Sequence, residues 1–138
     1  MASAIYNQYK LKMGTIDWET AAIKVMLVTD SYGLDLDLHE NRDDVVHEVS
    51  GTGYTTGGQA LVAKTVTRDD ANDWAVYDAT DALWPNSTIT ARYGIVYLDS
   101  GLDSTDTLIA YVDFLTNKIS DGADFIIQWH DTGVFRLG

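Results

Sequence analysis

The chain has 138 residues, of which 46% are hydrophobic, enough for one domain to bury a core of its own. It contains no cysteine, which excludes disulfides, thiolate metal sites and a thiol nucleophile. A net charge of −12, from 21 acidic and 9 basic residues, argues against direct binding to the phosphates of a nucleic acid.

The N-terminus lacks a basic start followed by an apolar run, and no stretch approaches the roughly 20 apolar residues of a membrane span. We therefore expect a soluble protein, made in a cytoplasm and without a membrane partner.

The sequence up to residue 29 predicts one short helix or arm and one strand. Ile5 and Tyr9 recur at helical spacing and Gly14 suits a C-terminal cap, so residues 1–14 are predicted as a short helix or arm. A polar turn follows, with Trp18 as its one large anchor. The β-branched, apolar run 22–29 then predicts a strand.

Residues 30–48 allow two interpretations. A short helix or helical turn over 36–46, with Asp35 or Asp37 as its N-cap, fits the spacing of the leucines and valines. The alternation of leucine and aspartate over 34–38 fits a strand equally well.

Four glycines crowd into residues 49–61, at Gly51, Gly53, Gly57 and Gly58. Glycine at this density provides positive φ angles and close chain approach, so the segment is predicted to be a shaped connection. It is not a phosphate-binding loop, because such a loop needs a Lys followed by Ser or Thr that opens a helix, whereas residues 59–66 here are typical of a strand.

After residue 58 the chain consists of short apolar runs separated by turn residues about every 8–12 positions, a spacing typical of a sandwich or barrel. The predicted strands are 60–67, 74–78, 82–84, 89–98, 108–114, 125–129 and 134–137. Asp121 and Gly122 predict a turn, and 89–98 is placed centrally as the longest and most apolar run. The predicted fold is mainly β: one antiparallel, jelly-roll-like β-sandwich over residues 15–138, with one or two short helices in the N-terminal third and a single domain over 1–138.

Alternation within two strands predicts core positions. Both faces of 93–98 are apolar, so this strand is expected to be covered on both sides. Phe125, Ile127 and Trp129 share one face and are predicted to be buried.

The residues that could carry chemistry form no recognisable site. His39, Asp43 and His47 lack the spacing of a helical zinc motif, so a solvated polar face is favoured. The acidic clusters lack the twelve-residue pattern of a calcium loop, and aspartate is common in turns for local reasons. No Gly-x-Ser-x-Gly elbow is present. We predict no enzyme activity, no metal and no cofactor.

Four tryptophans and eight tyrosines are the remaining signal. Large aromatic rings serve in cores, at interfaces and as carbohydrate platforms, and most are predicted to be core. Tyr6, Tyr9 and Trp18 precede the strand-rich region, so they are the ones expected to dock on a neighbouring subunit.

In the order of its motifs, the chain resembles a family of small virion proteins of tailed bacteriophages and prophages. The glycine motif EVSGTGYTTGG at 48–58 is the most specific, and the likeness continues at 4–6, 23–29, Leu61, 69–73, 89–93, 108–114 and 133–138. The chain departs from the pattern mainly in its additional tryptophans and in 102–106.

The resemblance implies a structural role in the head or the tail. The first choice is a capsid decoration or cement protein that binds the major capsid protein or other virion proteins, self-associates as a trimer or dimer, and is located in the virion after assembly in the host cytoplasm. The alternative is a tail-associated protein of the baseplate, fibre or adaptor, with possible host-glycan binding; a small cell-wall hydrolase is the third reading. The interface candidates are Tyr6, Tyr9, Trp18, Gly51, Gly53, Tyr54, Gly57 and Gly58.

Overall fold

The computed structural model describes residues 2–138, which form two antiparallel sheets and one short α-helix. The five-stranded sheet has the order β1-β7-β6-β2-β3 and the three-stranded sheet the order β4-β5-β8. The predicted mainly β sandwich is therefore confirmed. The elements are β1 (Ala2–Ile5), α1 (Asn7–Lys12), β2 (Ile23–Val28), β3 (Gln59–Ala60), β4 (Thr65–Asp69), β5 (Trp74–Asp78), β6 (Ala82–Leu98), β7 (Leu108–Ile127) and β8 (Phe135–Leu137).

A hairpin of two long strands, β6 and β7, forms the centre of the fold. The breaks predicted at Pro85 and at Asp121–Gly122 are wrong, because both strands run through these positions as bulges. Asn86 and Gly122 take positive φ angles of 49° and 61°, which absorb the extra residues. Proline is tolerated at a bulge because no ladder hydrogen bond is required of it there. The central position predicted for 89–98 is correct, since β6 is third in the five-stranded sheet.

The N-terminal helix is shorter than predicted. It covers only Asn7–Lys12, and Gly14 lies in a following 3-10 turn over Met13–Thr15. The residues before the helix form β1, which pairs with β7 from Ala2 opposite Asp113 to Ile5 opposite Ala110. Four residues carry too short a pattern to indicate a strand on their own.

Two further local predictions hold only in part. Of the short helix or helical turn predicted over 36–46, only a 3-10 turn at Arg42–Asp44 forms, capped reciprocally by the side chains of Asn41 and Asp44. Such bonds from side chain to backbone compete with helix formation. The strand predicted at 60–67 is interrupted, because Ala63 has a φ of 52° and separates β3 from β4.

Both faces of the five-stranded sheet are covered around residues 93–98, as the sequence predicts. On one face Val25, Leu27 and Val96 belong to the main core, which reaches the small sheet. On the other face Met26, Ile95, Tyr97 and their neighbours form a second cluster, to which the segment after β2 contributes Tyr32. Phe125, Ile127 and Trp129 are buried, which confirms their predicted core positions. Within residues 2–138, no helix combines the length and the apolar character that a membrane crossing requires.

Candidate interaction surfaces

The three aromatic residues predicted to dock on a neighbour are part of the core. Tyr6, Tyr9 and Trp18 are 0%, 1% and 2% exposed, so their assignment as interface anchors is wrong. Trp18 packs edge-on against Tyr77 and Phe135, with ring centroids 5.8 and 5.3 Å away. Its indole N–H donates to the Asp78 carbonyl at 3.1 Å. These partners come from β5 and β8, far along the chain, so the local sequence gave no sign of them.

Tyr6 is held in a chain of hydrogen bonds. Its hydroxyl lies 2.9 Å from that of Tyr32, which in turn lies 2.8 Å from Nδ1 of His39. Burial raises the pKa of both tyrosines above the ordinary value. These hydrogen bonds connect the residue before α1 to the segment after β2, at the second core cluster.

The glycine-rich connection, residues 49–58, is pinned to the sheet by hydrogen bonds. The Tyr54 hydroxyl donates to Glu48 at 2.7 Å and accepts the Leu27 N–H at 3.0 Å, while the Gly57 N–H donates to the same carboxylate at 2.7 Å. Burial raises the pKa of Tyr54. The connection is therefore a shaped and fixed loop.

The glycine candidates differ in their accessibility. Gly51 and Gly53 are exposed, Gly58 is half-buried and Gly57 is buried. The Gly57 carbonyl oxygen accepts a hydrogen bond from the Tyr97 hydroxyl at 2.6 Å. The loop also lies against β6, since its Thr52 carbonyl accepts the Thr88 N–H at 2.9 Å. A contact role remains a prediction for the exposed positions.

We expect Gly58→Ala to destabilise the protein by about 2–4 kcal/mol. A Cβ at Gly58 would lie 1.9 Å from the Val25 carbonyl oxygen, a backbone atom of β2, and the residue has a φ of +80°. Gly101→Ala is the matched control, because Gly101 has a φ of +90° with nothing within 4 Å of the added atom. It should cost only about 1–2 kcal/mol, the strain of the conformation alone. Urea unfolding of both variants measures the difference, and equal losses would contradict the steric account.

One arginine connects three surface segments. The Arg42 guanidinium binds Asp103 at 3.0 Å and lies 3.5 Å from Glu48 and 4.0 Å from the buried Asp106. It also lies over the Tyr97 ring, 5.3 Å from the centroid. These acidic residues are therefore engaged in structural pairing. Among residues 2–138, no three histidine, aspartate or glutamate side chains converge as metal ligands.

The first candidate surface is the outer face of the ribbon, by which we mean residues 82–91 of β6 and 118–127 of β7. Leu83 and Ile126 are opposite each other in the ladder, as are Thr90 and Ile119. Leu83, Ile119 and Ile126 are 44%, 69% and 40% exposed, while Trp84, Ile89, Phe125 and Ile127 on the opposite face are buried. The sequence does not reveal this face, because 118–127 has no regular alternation of apolar and polar residues.

The second candidate surface is a groove of about 640 Å³ between the edge of β1 and the segment 129–136, which leads into β8. Its floor is apolar, formed by the buried Val112, Trp129 and Val134. Its lining includes the cationic side chains of Lys10 and Arg136, together with His130. Both ends of the chain contribute to the groove, so no local pattern in the sequence could predict it.

The indole rings do not form an exposed platform. Trp18, Trp84 and Trp129 are buried, and Trp74 is half-buried with the Arg136 guanidinium 4.2 Å above its ring. Most of the aromatic residues are thus core, as the sequence predicted.

Comparisons with protein-family models, curated proteins and solved structures found no match to this chain.

Proposed function

We propose that this protein is a structural component of a tailed-phage virion, and specifically a decoration or cement protein that stabilises the capsid by protein–protein contacts. The observation that carries the proposal is the outer face of the ribbon. It exposes Leu83, Ile119 and Ile126 in a chain whose net charge is −12. Leu83 and Ile126 form an exposed apolar pair across the two strands, and Ile119 lies farther along β7 on the same face. Large apolar side chains exposed on one face of a rigid ribbon are candidate contacts for another protein.

The construction of the ribbon supports the same role. Its inner face carries Trp84, Ile89 and Phe125 in the core, so the outer face is fixed in position by side chains that cannot move independently. A rigid, preformed surface binds at a lower entropic cost than a mobile one. The high net negative charge keeps such a protein soluble before assembly.

Variants of the ribbon test the proposal in the phage whose genome encodes this chain. Ile119→Lys should leave the isolated protein folded, because its side chain is 69% exposed, and should reduce the amount incorporated into purified particles. Leu38→Lys is the control, since Leu38 is 75% exposed and lies outside the ribbon. Quantitative mass spectrometry of the particles measures the copy number. A wild-type protein absent from particles would contradict the proposal.

The groove favours a second candidate, a tail-associated component. A surface that accepts a different surface of the next subunit produces a head-to-tail contact, and such contacts generate rings and filaments. Copy number separates the two candidates, because a cement protein is present in numbers comparable with the major capsid protein and a tail component in far fewer.

A further inference from the structure

The edge of β1 that faces the groove has free backbone groups. The Tyr6 N–H donates to the Ile109 carbonyl at 2.9 Å, which makes this a hydrogen-bonded pair of the antiparallel ladder. Because such pairs alternate, Ala4 and Ala2 also direct their backbone groups toward β7, and Ser3 and Ile5 direct theirs away from it. No residue among 2–138 pairs with this outer edge as a strand.

The unpaired part of this edge ends at Asn7, the next residue that directs its backbone N–H away from β7. Asn7 donates its N–H to the Leu36 carbonyl at 3.2 Å, on the side away from β7. Leu36 is itself a lining residue of the groove. The open edge is therefore short, and the segment after β2 ends it on one side. Its size suits the addition of one short extended segment.

The charge of the groove is opposite to that of the rest of the molecule. Its lining includes Lys10, His130 and Arg136 but no aspartate or glutamate, although the chain has 21 acidic residues against 9 basic ones. Asp131 is adjacent in sequence but is exposed and outside the lining. The open edge of β7 within the ribbon carries the exposed Asp121 and Asp124 instead. An acidic segment would therefore be attracted to the edge of β1 and repelled from that of the ribbon.

We propose that this groove binds an extended, acidic peptide segment of a partner protein, which adds to β1 as a further strand. Main-chain hydrogen bonds to Ser3 and Ile5 provide affinity, apolar side chains on one face of the segment contact the floor at Trp129 and Val134, and carboxylates on the other face meet Lys10 and Arg136. The inference depends on the groove alone and is independent of the virion assignment.

The first test is direct binding of a labelled peptide of about six residues with alternating valine and glutamate. Fluorescence anisotropy should show binding that weakens with added salt, because the attraction is partly ionic. Two control peptides should not bind: one with lysine in place of glutamate, and one with every backbone nitrogen methylated, which has no N–H to donate to β1 from either edge. Failure of the glutamate peptide to bind, or equal binding of either control, would overturn the proposal.

Charge-reversal variants test the contribution of the cations. The double variant Lys10→Glu with Arg136→Glu should weaken binding by at least about ten-fold. Lys64→Glu with Arg68→Glu makes the same change in net charge outside the groove and should bind like the wild type. Equal affinity of the two double variants would show that the groove does not recognise carboxylates.

A pair of variants at one position tests strand addition. Ser3→Pro removes the outward N–H of β1 without breaking a bond to β7, so the protein should keep its melting temperature and lose most of its peptide affinity. Ser3→Ala retains that N–H and should bind normally. If the two variants bind equally well, the segment does not pair with β1. If the wild type self-associates by light scattering and Ser3→Pro abolishes this, the occupant is a second copy of this chain and the proposal of an acidic partner is wrong.

Discussion

At about pH 11 we expect this protein to unfold cooperatively, in a transition that follows the ionisation of buried tyrosines. Burial raises the pKa of five tyrosine hydroxyls above the ordinary value near 10 and raises that of Tyr9 to about 12. The five are Tyr6, Tyr9, Tyr32, Tyr54 and Tyr97. They lie in both core clusters or against them, so the effect concerns the whole fold.

The direction follows from proton binding. Above pH 10 the unfolded chain releases these protons while the folded protein keeps them, so stability is complete below the unfolded pKa and falls as the pH rises. Each tyrosine contributes a loss of a little over 1 kcal/mol per pH unit. Four of them, Tyr6, Tyr9, Tyr54 and Tyr97, have the most strongly raised pKa values and together lose about 4–5 kcal/mol within one pH unit, a large part of the stability of a typical domain.

The measurement is a pH titration that follows tyrosinate absorbance and circular dichroism together. Tyr9→Phe provides the control, because no protein group within the described chain hydrogen-bonds its hydroxyl and the ring is kept. This variant should retain its stability at neutral pH and unfold at a higher pH than the wild type. Ionisation of the tyrosines near pH 10 with circular dichroism unchanged would show that the hydroxyls reach solvent in the folded state.

Trp18→Ala is expected to reduce the free energy of unfolding by about 3–5 kcal/mol. The indole fills the space between the sheets beside the stacked rings of Tyr77 and Phe135, whose centroids are 4.6 Å apart, and its loss leaves a cavity there. The Asp78 carbonyl also loses its donor.

Trp74→Ala is the matched control for Trp18→Ala. Trp74 is half-buried and packs against the exposed Arg136, so truncation should cost clearly less than at Trp18. Urea unfolding should show a lower midpoint for Trp18→Ala with an unchanged slope. A variant of Trp18 that keeps its stability but loses association with other chains would restore this residue as an interface anchor.

The sequence predicted the class of the fold because alternation in single strands is a local signal. It also predicted that both faces of 93–98 are covered and that Phe125, Ile127 and Trp129 are buried, since these depend only on which face each side chain occupies. The long hairpin was divided into short strands because Pro85 and Gly122 are turn residues in isolation. Within the hairpin, pairing along the rest of both strands offsets the local disruption, and each becomes part of a bulge.

The surfaces were harder to predict than the core. Trp18 is expected at an interface from the sequence because it precedes the strand-rich region, whereas its contacts come from β5 and β8. The groove brings β1 together with residues 129–136, at opposite ends of the chain. Such an arrangement depends on the topology of the two sheets and leaves no periodic signal in either segment.

The position of Arg42 has a consequence for how the surface loops fluctuate. The Arg42 guanidinium contacts Asp103 and Asp106 in the loop between β6 and β7 and also Glu48, whose carboxylate holds Tyr54 and Gly57 of the glycine-rich connection. We therefore expect these two segments and the segment after β2 to open together. Their amide hydrogens should accordingly exchange with solvent as one cooperative unit, with similar protection in all three. A neighbouring protein that clamps any one of these loops would thereby slow exchange in the other two.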